Sequence, residues 1–435
     1  MEIHGWGRHP VIDAEVTYPS SRSAAVAAVA TDARHSVIAR GMGRSYGDSA
    51  LAARVINSRY LNLLLEFDPA SGKVRCGAGV TLAELLEVFV PRGWFLPVTP
   101  GTQYVSVGGA IGSDAHGKNH HGRGCFSECV ERFDLIVASG KVLTCSRSEH
   151  PDLFRATCGG MGLTGVILEA TLELMPLENS YVDEKTVKCA NLEEALETFE
   201  RCRGSTYSVA WIDCQATGSV TGRSLVMLGE HAASGMLDVP AKRVLSVPVD
   251  LPGQFLNSHS IRAFNTLYYH RVRAKHSSRR LHYEAFFYPL DSLKDWNRLY
   301  GKGGFTQYQF VIPKAAGLAG VSAILRKIAG SGRGSFLAVL KLLGPENANY
   351  LSFPMEGYTL ALDFKLQSGL FELFEELDAM VFDHGGRIYL AKDCRLNAAG
   401  FRRGYPRWEA FQAVRERYGA RGKFGSLQSE RIGLG

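Results

Sequence analysis

Gly108, Gly109, Gly112 and Gly117 crowd into ten residues, and His116, Lys118, His120 and His121 fall within six residues of one another. Glycine removes the Cβ atoms that would hold a ligand away from the backbone, and it allows positive φ at little cost. Successive exposed N–H groups in such a segment form a concave anion site suited to a pyrophosphate. A surface turn with solvated histidines has the same composition, so this stretch needs support from elsewhere in the chain. Two further clusters supply it. Arg40-Gly-Met-Gly-Arg-Ser-Tyr-Gly-Asp48 and Gly159-Gly-Met-Gly162 both follow or precede short apolar runs.

The whole chain narrows the classes. At 435 residues it is long enough for two or three domains. With 46% hydrophobic and 21% charged residues it has the composition of a globular protein. Its 47 glycines exceed the usual share of about 7%, consistent with several sites built from backbone. A net charge of +6 suits an anionic ligand but is too weak and dispersed to argue for nucleic acid. The nine cysteines are scattered and odd in number, which favours a reduced, cytoplasmic protein. Cys125 and Cys129 have a spacing zinc can use, but no second pair supports a metal site. Met1 to Val16 has no apolar signal core, and no apolar run approaches the ~18 residues of a membrane span.

The elements that must position these clusters are legible in outline. Ser20 to Ala30 predicts a helix, Val37 to Ala39 a strand, and Leu61 to Phe67 with Lys73 to Cys76 two strands about the turn at Asp68 to Gly72. Leu82 to Val90 predicts an amphipathic helix. Arg132 to Ala138 and Lys141 to Cys145 predict a hairpin, Pro151 to Ala156 a short helix, and Val166 to Met175 an alternating strand. Beyond Tyr181 the pattern predicts a helix at Leu192 to Cys202 and a strand at Ser208 to Asp213. Gly218 to Ala263 has weak periodicity and reads as long loop, and the basic, aromatic run Leu267 to Phe287 reads as a solvated surface loop. Phe305 to Ile312, Phe336 to Leu343 and Tyr358 to Phe364 predict strands, with helices at Ala315 to Ala329, Leu370 to His384 and Pro406 to Tyr418. This order is α+β rather than a regular βαβ series.

Several motifs together carry a resemblance. They are Ala39 to Asp48, Pro100-Gly101, Val107-Gly-Gly-Ala110, His116-Gly-Lys-Asn-His-His121, Gly162-Leu-Thr-Gly165, Tyr308-Gln-Phe-Val-Ile-Pro313, Leu351-Ser-Phe-Pro354 and Ala391-Lys-Asp393. With them the chain resembles the FAD-linked oxidoreductases of the vanillyl-alcohol-oxidase type over nearly its whole length. It is most similar to the members that oxidise a polyprenyl-phosphoryl pentose. The resemblance implies an α+β, two-domain flavoprotein. Residues 1–180, completed by 387–435, would form a PCMH-type FAD-binding domain, and 181–386 an α+β substrate domain. FAD would lie against Ala39, Arg40, Gly41, Met42, Gly43, Arg44, Ser45, Tyr46, Gly47, Asp48, Ser49, Gly101, Ser106, Val107, Gly108, Gly109, Ser113, Asp114, Ala115, His116, Ile167 and Tyr389. The substrate cavity would include Lys118, Gln307, Gln309, Lys341, Ala361 and Lys392.

The chemistry implied is oxidation of a secondary alcohol of a sugar, most simply the 2′-hydroxyl of a polyprenyl-phosphoryl-β-D-ribose, as the first half of an epimerisation. A flavin takes the hydride, while the protein supplies orientation and electrostatics. A buried lysine stabilises an alkoxide or, with a lowered pKa, accepts the hydroxyl proton. Lys392 is the first candidate for that role and His116 the second, whereas His120 and His121 suit bonds to loop carbonyls. Arg44 stands where related oxidases tether FAD through a histidine, so FAD should be non-covalent. Thr359 and Ala361 stand where similar mycobacterial members carry an amide and a cysteine. A short-chain reductase partner follows from the same resemblance, and the basic, aromatic run Leu267 to Phe287 offers, as the alternative to a solvated loop, a lid or a peripheral contact with anionic lipid headgroups. The rivals are an aldonolactone- or alditol-type oxidase of a free sugar and a catalytically silent flavin-fold binding protein.

Overall fold

The computed structural model describes residues 1–31, 35–239, 245–251 and 257–435. Three of its sheets matter for the site. In a parallel three-stranded sheet, Arg54–Asn57 lies between Glu15–Thr17 and Val37–Arg40. The helix Arg22–Ala30 begins where the Ser21 side chain accepts the Ala24 N–H, and it buries Ala25 and Val29 against Val37 and Ile56. Val37–Arg40 then delivers the chain into the first glycine turn.

The second sheet is antiparallel and five-stranded. Val166–Glu173 sits in its middle, paired with Lys73–Gly77 on one side and Val130–Ile136 on the other. Leu64–Asp68 and Val142–Ser146 form its edges. The helix Leu82–Phe89 starts at a reciprocal cap, in which Thr81 accepts from the Glu84 N–H and Glu84 accepts from the Thr81 N–H. The apolar stripe Leu82, Leu85, Leu86 and Phe89 is fully buried. The stretch from Thr99 to His121 is not all loop. Ser106 caps a short helix, Val107–Gly112, and a second turn of helix follows at His120–Arg123. The glycines are tolerated there because Ser106 accepts the Gly109 N–H and Val107, Ala110 and Ile111 are buried.

The third sheet has eight antiparallel strands. Their order is His276–His282, Tyr181–Cys189, Ser224–His231, Tyr207–Ile212, Ala338–Leu343, Gly357–Lys365, Phe305–Pro313 and Arg387–Ile388. Side chains alternate between its faces. Ala210, Leu340, Leu360, Leu362, Phe310 and Ile312 join Phe199, Ile324, Leu325, Phe374 and Leu377 of the helices Leu192–Arg201, Gly317–Gly330 and Leu370–Asp383 in the core. Burial of each large apolar side chain here is worth roughly 1.5–3 kcal/mol. The other face turns toward the glycine clusters.

The expected long loop between Gly218 and Ala263 is not what forms. Ser224–His231 is an inner strand, and Ser258–His270 is a helix whose N-terminus Asn257 caps. The strand escapes the alternation rule because residues on both of its faces are buried, and Gly229 interrupts it where the Phe286 ring packs. The parts of that segment at 240–244 and 252–256 lie outside the described residues. Leu267 to Phe287 is likewise no surface loop. It holds the end of that helix, the edge strand His276–His282 and the helix Tyr283–Phe287, whose Phe286 and Phe287 are buried. No helix among the described residues is long and apolar enough to cross a membrane.

Candidate active site

A cavity of about 800 Å³ lies between the glycine clusters and the free face of the eight-stranded sheet. One wall is mostly backbone. Gly41, Gly43, Gly101, Gly108, Gly109 and Gly112 line it together with Ser106 and Ser113. At Gly101, chain neighbours aside, no atom of the described residues lies within 4 Å of the place a Cβ would occupy, so the backbone is bare to the cavity. At Gly41 a Cβ would meet Ser106 Oγ at 2.1 Å, so only glycine lets these two segments touch. Arg44 is wedged on the same wall, its guanidinium 4.1 Å from the centroid of Trp6 and 5.4 Å from that of Tyr104.

The opposite wall is built from side chains, and strand register sets it. Gln309 pairs with Ala361, which pairs with Val339. Val311 pairs with Thr359, which pairs with Lys341, and Gln307 pairs with Asp363. Gln307, Gln309, Ala361, Lys341 and Val339 therefore share the face that lines the cavity. Lys392 arrives from a different segment. The Tyr46 N–H donates to Ala391 O, and Gly47 abuts Asp393 O so closely that no Cβ fits, which docks 391–393 on the first glycine turn. Lys392 Nζ then stands 4.0 Å from the centroid of the Tyr46 ring.

Lys118, Lys341 and Lys392 all line the cavity. Each is partly accessible through it, yet surrounded deeply enough for burial to disfavour the charge. Burial brings the Lys341 ammonium down to about 8. Burial, reinforced by Lys341, brings Lys118 down to about 7, and Lys118 donates to Phe286 O. Burial lowers Lys392 as well, with Lys341 acting in the same direction and the Asp363 carboxylate opposing. Asp363 is itself buried, pushed up by desolvation, and accepts from Gln307 Nε2 at 2.6 Å. His116 is held neutral, first by burial and then by Lys341, His120 and Lys392. Its ring sits against Phe353 and Tyr389, and Tyr389 in turn donates its hydroxyl to Ser113 O.

Most of the expected residues converge here, but four do not line the cavity. Val107 is buried in the core. Asp48 pairs with Arg431 at 2.7 Å. Gly47 packs on Asp393. Asp114 is wholly buried and accepts from the Ser127 N–H, Asn347, Asn349 and Ser352, so its carboxylate anchors the loop at 347–352 instead of facing a ligand. His121 meets the expected carbonyl, Ser205 O, at 2.8 Å, whereas His120 Nδ1 accepts the Gly344 N–H. Sequence reasoning also missed Asp363, which holds Gln307 from behind the wall, and several residues of the wall itself. Asp363 was available from the period-two pattern that links it to Thr359 and Ala361. Trp211, Met227, Phe264, Tyr268 and Phe336 form an apolar lobe of the cavity, with Trp211 and Tyr268 rings 4.6 Å apart. No local signal marks these, because they meet only through the fold.

A bare backbone wall beside cationic and amide side chains suits a large anionic, planar cofactor, and the cavity stands at the upper end of the 300–1,000 Å³ typical of ligand sites. Residues 16–146 match the FAD binding domain family. The site is that of an FAD-dependent oxidoreductase acting on CH–OH groups. The chain is 38% identical to the decaprenylphosphoryl-β-D-ribose oxidase of Mycolicibacterium smegmatis over 99% of its own length and 97% of the relative's. It is 33% identical, over 82% of its length and all of the relative's, to an uncharacterized protein of Streptomyces coelicolor. Similarity to the L-gulonolactone oxidase of Mus musculus is 32% over 41% of each chain. The chain belongs to the family of the decaprenylphosphoryl-β-D-ribose oxidase, within the vanillyl-alcohol-oxidase type of flavoproteins.

Proposed function

We propose that the protein oxidises the 2′-hydroxyl of a polyprenyl-phosphoryl-β-D-ribose to the keto form, the first half of an epimerisation to arabinose. The observation that carries this reading is the joining of three lysines, Lys118, Lys341 and Lys392, to an apolar lobe within one cavity. Phosphate and developing alkoxide charge match the lysines, and the first isoprene units match Trp211, Met227 and Phe264. Each CH₂ buried there is worth ~0.8 kcal/mol.

When bound, FAD supplies the hydride acceptor. Lys392 orients the reacting hydroxyl and holds or takes its proton, because its lowered pKa leaves a fraction neutral near pH 7. Asp363, held by Gln307, favours the charged form of Lys392 against the burial that disfavours it. The wall residues Ser106, Gly108 and Gly109, with Ala39 to Tyr46 and Ser49 of the first glycine turn, would hold the cofactor. With Arg44 packed on Trp6 at the place of a tethering histidine, FAD is held without a covalent bond. Acid precipitation therefore leaves the flavin in the supernatant. A short-chain reductase completes the epimerisation, and the protein works in the cytoplasm or peripherally at a membrane, where the lipid-linked sugar resides.

The test is anaerobic bleaching of the purified yellow protein. Reduction by a polyprenyl-phosphoryl pentose far outpaces reduction by the free pentose at equal concentration. Equal or faster turnover of a free alditol or aldonolactone, with stoichiometric oxygen uptake, overturns the reading in favour of a free-sugar oxidase.

A further inference from the structure

His116 is held by a chain of hydrogen bonds whose direction can be worked out atom by atom. The Thr359 hydroxyl lies 2.8 Å from Phe310 O. A carbonyl only accepts, so the single hydroxyl proton of Thr359 is committed to Phe310. The Gln309 side-chain atom 3.2 Å from Thr359 Oγ1 must then be the donor, the amide Nε2. That same Nε2 lies 3.2 Å from His116 Nε2 and spends its second proton there. His116 Nε2 is therefore the acceptor. The ring is buried, and burial together with Lys341, His120 and Lys392 keeps it neutral. A neutral imidazole with Nε2 unprotonated carries its proton on Nδ1. Among the described residues, Nδ1 is buried with no hydrogen-bond partner.

We propose that Thr359 and Gln309 are positioning residues that lock His116 as the neutral Nδ1–H tautomer, with Nε2 occupied, so that the ring is not a proton acceptor. Nδ1 is closed off from the cavity that His116 lines, so neither ring nitrogen is open to take a proton from a ligand there. The basic nitrogen is blocked by Gln309, so the hydroxyl proton has no route to His116 and falls to Lys392. This consequence rests on the alcohol-oxidase reading above, whereas the tautomer does not. Strand register makes the lock possible. Val311 lies opposite Thr359 and Gln309 opposite Ala361, which sets the Gln309 amide diagonally beside the Thr359 hydroxyl.

The experiment is nitrogen-15 NMR of the substrate-free holoenzyme labelled at histidine, with the His116 signals identified by their loss in His116→Gln. The expected spectrum has a pyridine-type Nε2 and a pyrrole-type Nδ1. A pyrrole-type Nε2, an averaged pair or two protonated nitrogens overturns the proposal. Thr359→Val frees the Gln309 amide to turn over, so a second tautomer appears and anaerobic flavin reduction slows on the order of tenfold, as for one misdirected hydrogen bond. Thr359→Ser restores the wild-type ring spectrum. An unchanged spectrum in Thr359→Val removes Thr359 from the lock. Gln309→Glu puts an acceptor beside Nε2 and reverses the tautomer; retention of the pyridine-type Nε2 in that variant also overturns the proposal. Because the spectra are taken without substrate, a wrong sugar leaves them untouched, and a failed lock leaves the substrate preference measurable.

Discussion

The two walls of the cavity are made in opposite ways. The wall formed by the first glycine turn and by Gly101 to Ser113 presents backbone, and its side chains have been removed to let a ligand and a neighbouring segment approach. The wall formed by Gln307, Gln309, Val339, Lys341 and Ala361 presents side chains, placed by the register of three antiparallel strands. A backbone wall contributes binding, and where it touches a neighbouring segment, as at Gly41, it has no room for addition. A side-chain wall tolerates changes of shape but not of charge, and it contributes chemistry. Lys392 belongs to neither sheet face. It is delivered to the junction by the docking of 391–393 on Tyr46 and Gly47.

That contrast can be broken most directly at the junction. Lys392→Ala keeps FAD bound yet slows anaerobic flavin reduction by about 10²-fold or more, the usual cost of losing a proton-transfer or electrostatic group. Stopped-flow bleaching checks it, and an undiminished rate removes Lys392 from the reaction. On the backbone wall the effect is on binding. Gly41→Val forces a side chain onto Ser106 and weakens FAD retention roughly 10- to 100-fold, as overpacking does. Flavin content after gel filtration measures it, and full occupancy would show that the two segments separate freely.

A subtler change sharpens the side-chain wall. Asp363 opposes the lowering of the Lys392 pKa, so Asp363→Asn lowers it further. The acidic limb of the flavin-reduction profile then moves to lower pH, by about one unit for a single buried charge. A limb that stays or moves upward means that Lys392 does not titrate there. The smallest effect is on stability. Lys118 falls to about 7 in the folded chain, below its unfolded value near 10.4, so the unfolded chain binds more protons between these limits. Stability therefore rises with pH across that window, by at most about 1.4 kcal/mol per pH unit from this one group. Urea midpoints from pH 7 to 9 should rise less steeply in Lys118→Met than in the wild type, and parallel slopes would assign the rise elsewhere.

The two walls also differ in how far they could be read from residues alone. Glycine clusters announce themselves because no side chain is the message, and the stretches Arg40 to Asp48 and Gly108 to Gly117 stand out that way, while Ser106 came from the family resemblance. Lys341, Gln307 and Gln309 came from the family resemblance. Asp363 was passed over although its alternation with Thr359 and Ala361 puts it on their face, because nothing local to the strand marks the lysine it faces. The strand Ser224–His231 and the helix Ser258–His270 were missed because burial on both faces erases the period-two signal and short polar caps look like loop.

What the sequence by itself determined is local. Alternation in Phe305–Pro313 and Gly357–Lys365, the capped helix at Leu82–Phe89 and the glycine turns follow from side-chain size, branching and backbone freedom within a few residues. What only the tertiary structure decided is conjunction and protonation. Asp114 became an anchor for the loop at 347–352, and the basic run after Leu267 contributed an aromatic wall. His116 came to rest against an amide oriented by Thr359, some 240 residues away. Burial and hydrogen-bond direction are properties of surroundings, and surroundings exist only once distant segments have packed.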